Sequence, residues 1–121
     1  MLNCLAVFLG GGLGSCCRYL LSLIISVDDF PLGTMLANGL ACLVLGMLTG
    51  YLLRNSLADH WKLLLGTGFC GGFSTFSTFS KETYDLSQNA HSWVAMSYLM
   101  GSLILGFAAF YLGLFIANSK L

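Results

Sequence analysis

Apolar residues run through this chain in blocks of membrane length separated by short polar stretches, and the pattern predicts helices over approximately residues 2–25, 32–53, 62–85 and 93–117. Crossing a hydrocarbon core of about 30 Å takes about 20 predominantly apolar residues, so each block is long enough to span. The third is irregular. Its middle, residues 68–80, reads GFCGGFSTFSTFS, and glycines followed by hydroxyl residues weaken a continuous helix, which predicts a break near residues 71–75. From Phe73 onward a strict three-residue period sets Phe at 73, 76 and 79, Ser at 74, 77 and 80, and Thr at 75 and 78. Residues three apart are neighbours on a helix surface, so the repeat draws a phenylalanine stripe beside a hydroxyl stripe.

Irregular backbone at membrane depth is tolerated only where it is buried in protein or lines a cavity. A break in the third span therefore implies a site. Freed carbonyls offer hard oxygen ligands to a cation. The hydroxyls of Ser77 and Thr78 offer donors, and phenyl edges carry the positive part of the ring quadrupole, so both suit an anion. The competing reading is a packing stripe whose hydroxyls bond back to their own helix.

Polar residues inside the other spans add to this picture. Arg18 lies in the first span, where an arginine at the bilayer centre costs about 2.5–3.5 kcal/mol on insertion scales; it either snorkels to the interface or lines a wet vestibule. The second span follows SVDDFPLGT, a turn containing Asp28, Asp29 and the only proline, Pro31. Thr34 and Asn38 then share one helix face, with Asn38 serving either as interhelical glue or as an amide donor to a solute. Tyr98 and Ser102 share a face of the fourth span, where their hydroxyls satisfy either a pore or their own helix. Small-x-x-x-small pairs at Gly10 and Gly14, Gly46 and Gly50, and Gly68 and Gly72 predict close helix packing.

Composition narrows the function. Of 121 residues, 57% are hydrophobic and 8% charged, against about 25% charged in ordinary soluble domains, which excludes a water-soluble globule and a soluble catalytic domain; an enzyme is not expected. The formal net charge is zero, so no basic surface recruits nucleic acid. Arg54, Lys62 and Lys120 fall on one side of the membrane and Lys81 on the other, a bias small enough for insertion in both orientations. The first apolar run has no Lys or Arg ahead of it and no small-x-small cleavage pattern, so it is expected to be a retained span. Cys4, Cys16, Cys17, Cys42 and Cys70 have no ligand spacing and read as packing residues, and His60 and His91 sit beside Trp61 and Trp93 in an interfacial belt. Glu82 and Asp85 come only after the repeat, leaving the apolar bodies without a carboxylate, which favours passive conduction over proton coupling.

The combination of GGLGSCCRY, GTMLAN and GFCGGFSTFSTF resembles the Fluc/CrcB family of fluoride channels. Two positions depart from the family pattern: Ala41 stands where a glycine is common and Ser74 where a threonine is usual. The resemblance implies an all-α membrane protein of four transmembrane helices with the third broken, assembled as an antiparallel dual-topology homodimer in the lipid bilayer. It implies two fluoride pores and a structural sodium ion at the dimer centre. Carried over, the Gly71 and Ser74 carbonyls of both subunits bind sodium, and the rings of Phe76 and Phe79 face fluoride. Asn38, Thr34, Ser77, Thr78, Tyr98 and Ser102 line the pore, Arg18 stands in the vestibule, and Glu82 lies near an exit. The implied activity is passive, fluoride-selective export across a bacterial inner membrane, lowering cytoplasmic fluoride. The alternatives are a small multidrug resistance type proton-coupled exporter, whose first-helix glutamate this chain lacks, and a non-transporting helper subunit.

Overall fold

The computed structural model describes residues 1–25, 30–53, 58–90 and 92–119. Asp28, Asp29, Arg54, His91 and Lys120, which entered the turn, topology and interface expectations, lie outside the described residues. The regular structure is helical: α1 (Leu2–Ile24), α2 (Leu32–Leu53), α3 (Asp59–Trp61) continuing as a π-helical stretch (Lys62–Cys70), α4 (Gly71–Phe73), α5 (Phe76–Asn89) and α6 (Ser92–Ser119). Among the described residues three helices, α1, α2 and α6, are each long and apolar enough to cross a membrane, and the chain is an all-α, multi-pass membrane protein.

Local chemistry accounts for several boundaries. Pro31 immediately precedes α2, where its fixed φ suits a helix start and its missing N–H costs nothing, and its carbonyl accepts the Met35 N–H at 3.3 Å. Thr75 adopts extended backbone at the start of α5, and its Oγ1 accepts the Thr78 N–H at 3.2 Å as an N-cap. At the start of α3, Lys62 pairs with Asp59 at 2.8 Å, and this bond and charge hold the exposed Asp59 carboxyl below its usual range.

The tertiary frame consists of α2 lying along α6, with α1 against the π-helical stretch and α4; α5 closes onto α6. Both long seams are backbone on backbone. A methyl group at Gly14 would overlap the Phe69 carbonyl oxygen, and one at Gly72 would overlap that of Gly11. In the other seam, a methyl at Gly46 would run into the Phe110 carbonyl and one at Gly113 into that of Leu43. Lipid supplies no hydrophobic drive for helices to associate, so close van der Waals approach has to supply the attraction. The glycine spacing in the first three spans anticipates this, whereas the Gly113 and Ala117 pair, which receives Gly46 and Gly50, was not singled out.

The buried interior is correspondingly small. One cluster gathers Phe79, Leu86, Ala95 and Tyr98, and another gathers Ala37, Ala41 and Phe73. Phe8, Leu13, Ile104, Phe107 and Phe115 remain exposed on α1 and α6, an apolar exterior that suits lipid or another chain rather than water.

Candidate functional site

The interruption in the third segment is narrower than the glycine content predicts. Gly71–Phe73 are wound as helix, and only Ser74 (φ −79°, ψ 157°) and Thr75 (φ −153°, ψ 121°) are extended. Gly72 serves helix packing, lying against the Gly11 backbone, whereas Gly71 faces open space, and the break coincides with the hydrogen bonds of Thr75 to Asn38. Ser74 closes the upstream half by donating both its N–H, at 2.9 Å, and its Oγ, at 2.8 Å, to the Cys70 carbonyl.

Asn38 of α2 grips the break from the side. The Thr75 N–H donates to Asn38 Oδ1 at 2.7 Å, and Asn38 Nδ2 donates back to the Thr75 carbonyl at 3.2 Å. From α1, Ser15 Oγ and Arg18 Nε each donate to the Gly72 carbonyl at 3.3 Å. Arg18 thus spends part of its guanidinium on backbone, which offsets its cost inside an apolar span. Thr75 Oγ1 also meets Thr78 Oγ1 at 3.1 Å and Ser77 Oγ at 3.3 Å, gathering the hydroxyl stripe at the head of α5.

An open groove of about 430 Å³ runs between α2, α5 and α6, lined in part by Asn38, Cys42, Phe76, Phe79 and Ser102. The Phe76 and Phe79 rings stand 5.9 Å apart at 41°, and Phe79 meets the Tyr98 ring at 5.2 Å. Phe79 is buried at 9% exposure while Phe76 is 80% exposed, so one ring is anchored in the subunit and the other projects from it. Among the described residues, Ser102 Oγ is the buried side-chain polar atom with no hydrogen-bond partner, and it belongs to this groove.

A second open cavity, about 500 Å³, lies towards the Asn89 end of α5 and includes Thr34, Glu82 and Asp85 in its wall. Here the Glu82 carboxylate accepts Thr34 Oγ1 through one oxygen and the Tyr98 hydroxyl through the other, each at 2.8 Å. One acid thereby joins α2, α5 and α6. Asp85 pairs with Lys81 one turn away.

The expected site residues therefore fall into three groups. Asn38, Phe76, Phe79 and Ser102 share the groove; Thr34, Tyr98 and Glu82 share one carboxylate network; Gly71, Ser74, Ser77 and Thr78 surround the break, with Arg18 on its α1 side. The back-bonding alternative describes Ser74 and Ser80 of the repeat and Thr83 beyond it, which donate to the Cys70, Phe76 and Phe79 carbonyls, each at 2.8 Å. Thr75, Ser15 and Cys42 also border this region, outside the expected set of site residues. Thr75 had a visible signal, since a hydroxyl residue opening a helix is a cap. Ser15 and Cys42 had none, because a small residue inside an apolar run gives no local hint of the element it faces.

Residues 5–114 match the family described as CrcB-like protein, Camphor Resistance (CrcB). The chain is 40% identical over 114 residues to a protein of Pyrococcus horikoshii named fluoride-specific ion channel FluC, covering 93% of each. It is 47% identical over 113 residues to fluoride-specific ion channel FluC 2 of Bacillus subtilis, covering 93% of this chain and 86% of that one. A FluC of Oceanobacillus iheyensis shares 44% identity over 119 residues, 97% of this chain and 92% of its own. A match that runs from α1 into α6 and takes in the interrupted third segment places this chain in the CrcB-like protein family.

Proposed function

We propose that this protein is a fluoride-selective passive ion channel that carries fluoride out of the cell and so lowers its cytoplasmic concentration, and that it resides in a bacterial inner membrane. It is not an enzyme. The reading rests on the extensive similarity to proteins named fluoride-specific channels, and the observation that carries it at residue level is the groove in which an unpartnered Ser102 hydroxyl stands with the Phe76 and Phe79 rings.

Fluoride holds its hydration shell tightly, so a selective route must replace water with donors yet bind weakly enough to release the ion. Hydroxyls of Ser102, Ser77 and Thr78, the amide of Asn38 and the edges of Phe76 and Phe79 supply partial positive charge without a full cation. Arg18 stands at the aqueous approach, drawing anions in, and Thr34, Tyr98 and Glu82 mark the far end of the route.

The working unit in this proposal is an antiparallel homodimer of four-span subunits. Two observations support it. Exposed Phe76 and exposed Gly71 lie beside extended backbone at Ser74 and Thr75, a surface that lipid would leave unsatisfied and that a second copy can cover. The formal net charge of zero and the small basic-residue bias suit insertion both ways. At such an interface the Gly71 and Ser74 carbonyls of both copies would hold a structural sodium ion, for which neutral hard oxygens are suitable ligands. When bound, that ion supplies a fixed positive charge joining the two broken segments.

The test is fluoride efflux from proteoliposomes measured with a fluoride electrode, with a potassium ionophore clamping the voltage and no proton gradient. Rapid fluoride release with chloride retained is the expected result. Release that requires a proton gradient, or none, would reject the channel.

A further inference from the structure

In an uninterrupted α-helix through the third segment, each N–H would close on the carbonyl four residues earlier. The Thr75 N–H would then bond Gly71, and the Thr78 N–H would bond Ser74. Neither does. Asn38 Oδ1 takes the Thr75 N–H at 2.7 Å, and Thr75 Oγ1 takes the Thr78 N–H at 3.2 Å. Gly72, lying between them, is resupplied by Ser15 and Arg18. Two side-chain acceptors therefore divert the helical donors of the Gly71 and Ser74 carbonyls, while Gly72, one of the two carbonyls between them, is satisfied from α1.

We propose that Asn38 and Thr75 are positioning residues for a hard monovalent cation at the break, each keeping one backbone carbonyl free by capturing the amide that would otherwise close on it. The inference rests on the cation reading given above, and it assigns these two side chains a task separate from contact with the anion. Asn38 also lines the groove, and one of its two Nδ2 hydrogens remains after the bond to Thr75. The side chain that clears a cation ligand thus borders the anion route, so that a change in its position is felt at both.

The experiment measures thermal unfolding of the detergent-purified full-length protein against sodium concentration, with N-methyl-D-glucamine as the replacing cation. The wild type is expected to gain stability with sodium along a saturable curve. Asn38→Ala and Thr75→Val should each raise the half-saturating sodium concentration by about tenfold, the equivalent of one hydrogen bond's worth of misplacement. Thr75→Ser keeps the acceptor and should restore the wild-type midpoint. Ser102→Ala, altered in the groove but away from the break, should leave that midpoint unchanged even where flux falls. A wild type indifferent to sodium would reject the cation reading itself. A sodium-stabilised wild type whose midpoint survives both Asn38→Ala and Thr75→Val would overturn the positioning role alone. Should Asn38→Ala fail to fold, the contrast between Thr75→Val and Thr75→Ser decides the matter, and equal midpoints in that pair overturn it.

Discussion

Tyr98 is fully buried and donates its hydroxyl to Glu82 Oε2 at 2.8 Å, so that an acid of α5 is held by a phenol of α6. Hydrogen bonds to a charged group contribute about 1.5–3 kcal/mol, and Glu82 is half-buried at an open cavity, so water replaces part of a lost donor. Tyr98→Phe is therefore expected to destabilise the protein by about 2 kcal/mol. Thr34→Val should do the same through the other oxygen, and the two losses should fall short of additive because both act on one carboxylate. Equilibrium unfolding of the two single variants and the double variant measures this directly; strictly additive losses would mean that the network does not act as a unit.

The two phenylalanines should separate flux from folding. Phe76 is 80% exposed and contributes little to the subunit interior, so Phe76→Ile should leave subunit folding within about 0.5 kcal/mol of the wild type. Fluoride efflux should nevertheless fall by about tenfold or more as the ring edge is lost. Phe79→Ile should lower both, because Phe79 packs on Tyr98 in the core. Efflux and melting curves on the same preparations distinguish these patterns, and unchanged efflux in both variants would remove the rings from the route.

Neighbouring glycines of α1 should respond in opposite directions. Gly12 faces open space, so Gly12→Ala should be neutral or stabilise by up to about 1 kcal/mol through helix propensity. Gly14 lies against the Phe69 carbonyl, and Gly14→Ala should cost about 1–3 kcal/mol through forced separation of α1 from the π-helical stretch. Thermal stability of the two purified variants tests the seam; a tolerated Gly14→Ala would show that the helices can part without penalty.

Arg18 is expected to act on the break as well as on the approach of anions. Its Nε bond to the Gly72 carbonyl is directional, so Arg18→Lys keeps the charge while losing the planar donor. Efflux should drop in Arg18→Lys and drop further in Arg18→Gln. Raising ionic strength should blunt the difference between those two variants, since an exposed approach is screened at short range. A lysine variant as active as the wild type would confine the residue to an electrostatic role.

Length and hydropathy alone settled that the chain crosses a membrane as helices, because a low-dielectric core dictates both the number of apolar residues and the internal satisfaction of every backbone group. The three-residue repeat made the stripes legible only from Phe76 onward, where Phe76 and Phe79 share the groove on α5; Phe73 ends α4 ahead of the break and packs instead with Ala37 and Ala41. The interruption was legible in outline only. Glycines predict the break at residues 71–75, but Gly72 serves packing against α1, Gly71 faces open space, and the extended backbone is confined to Ser74 and Thr75. The choice the Thr75 amide makes between Gly71, four residues away, and Asn38, 37 residues away, was not legible locally. The same holds for the Glu82 carboxylate, whose partners Thr34 and Tyr98 come from two other helices. Hydrogen bonds that cross between helices depend on which faces the glycine seams bring together, and that depends on the packing of the whole subunit rather than on any segment of it.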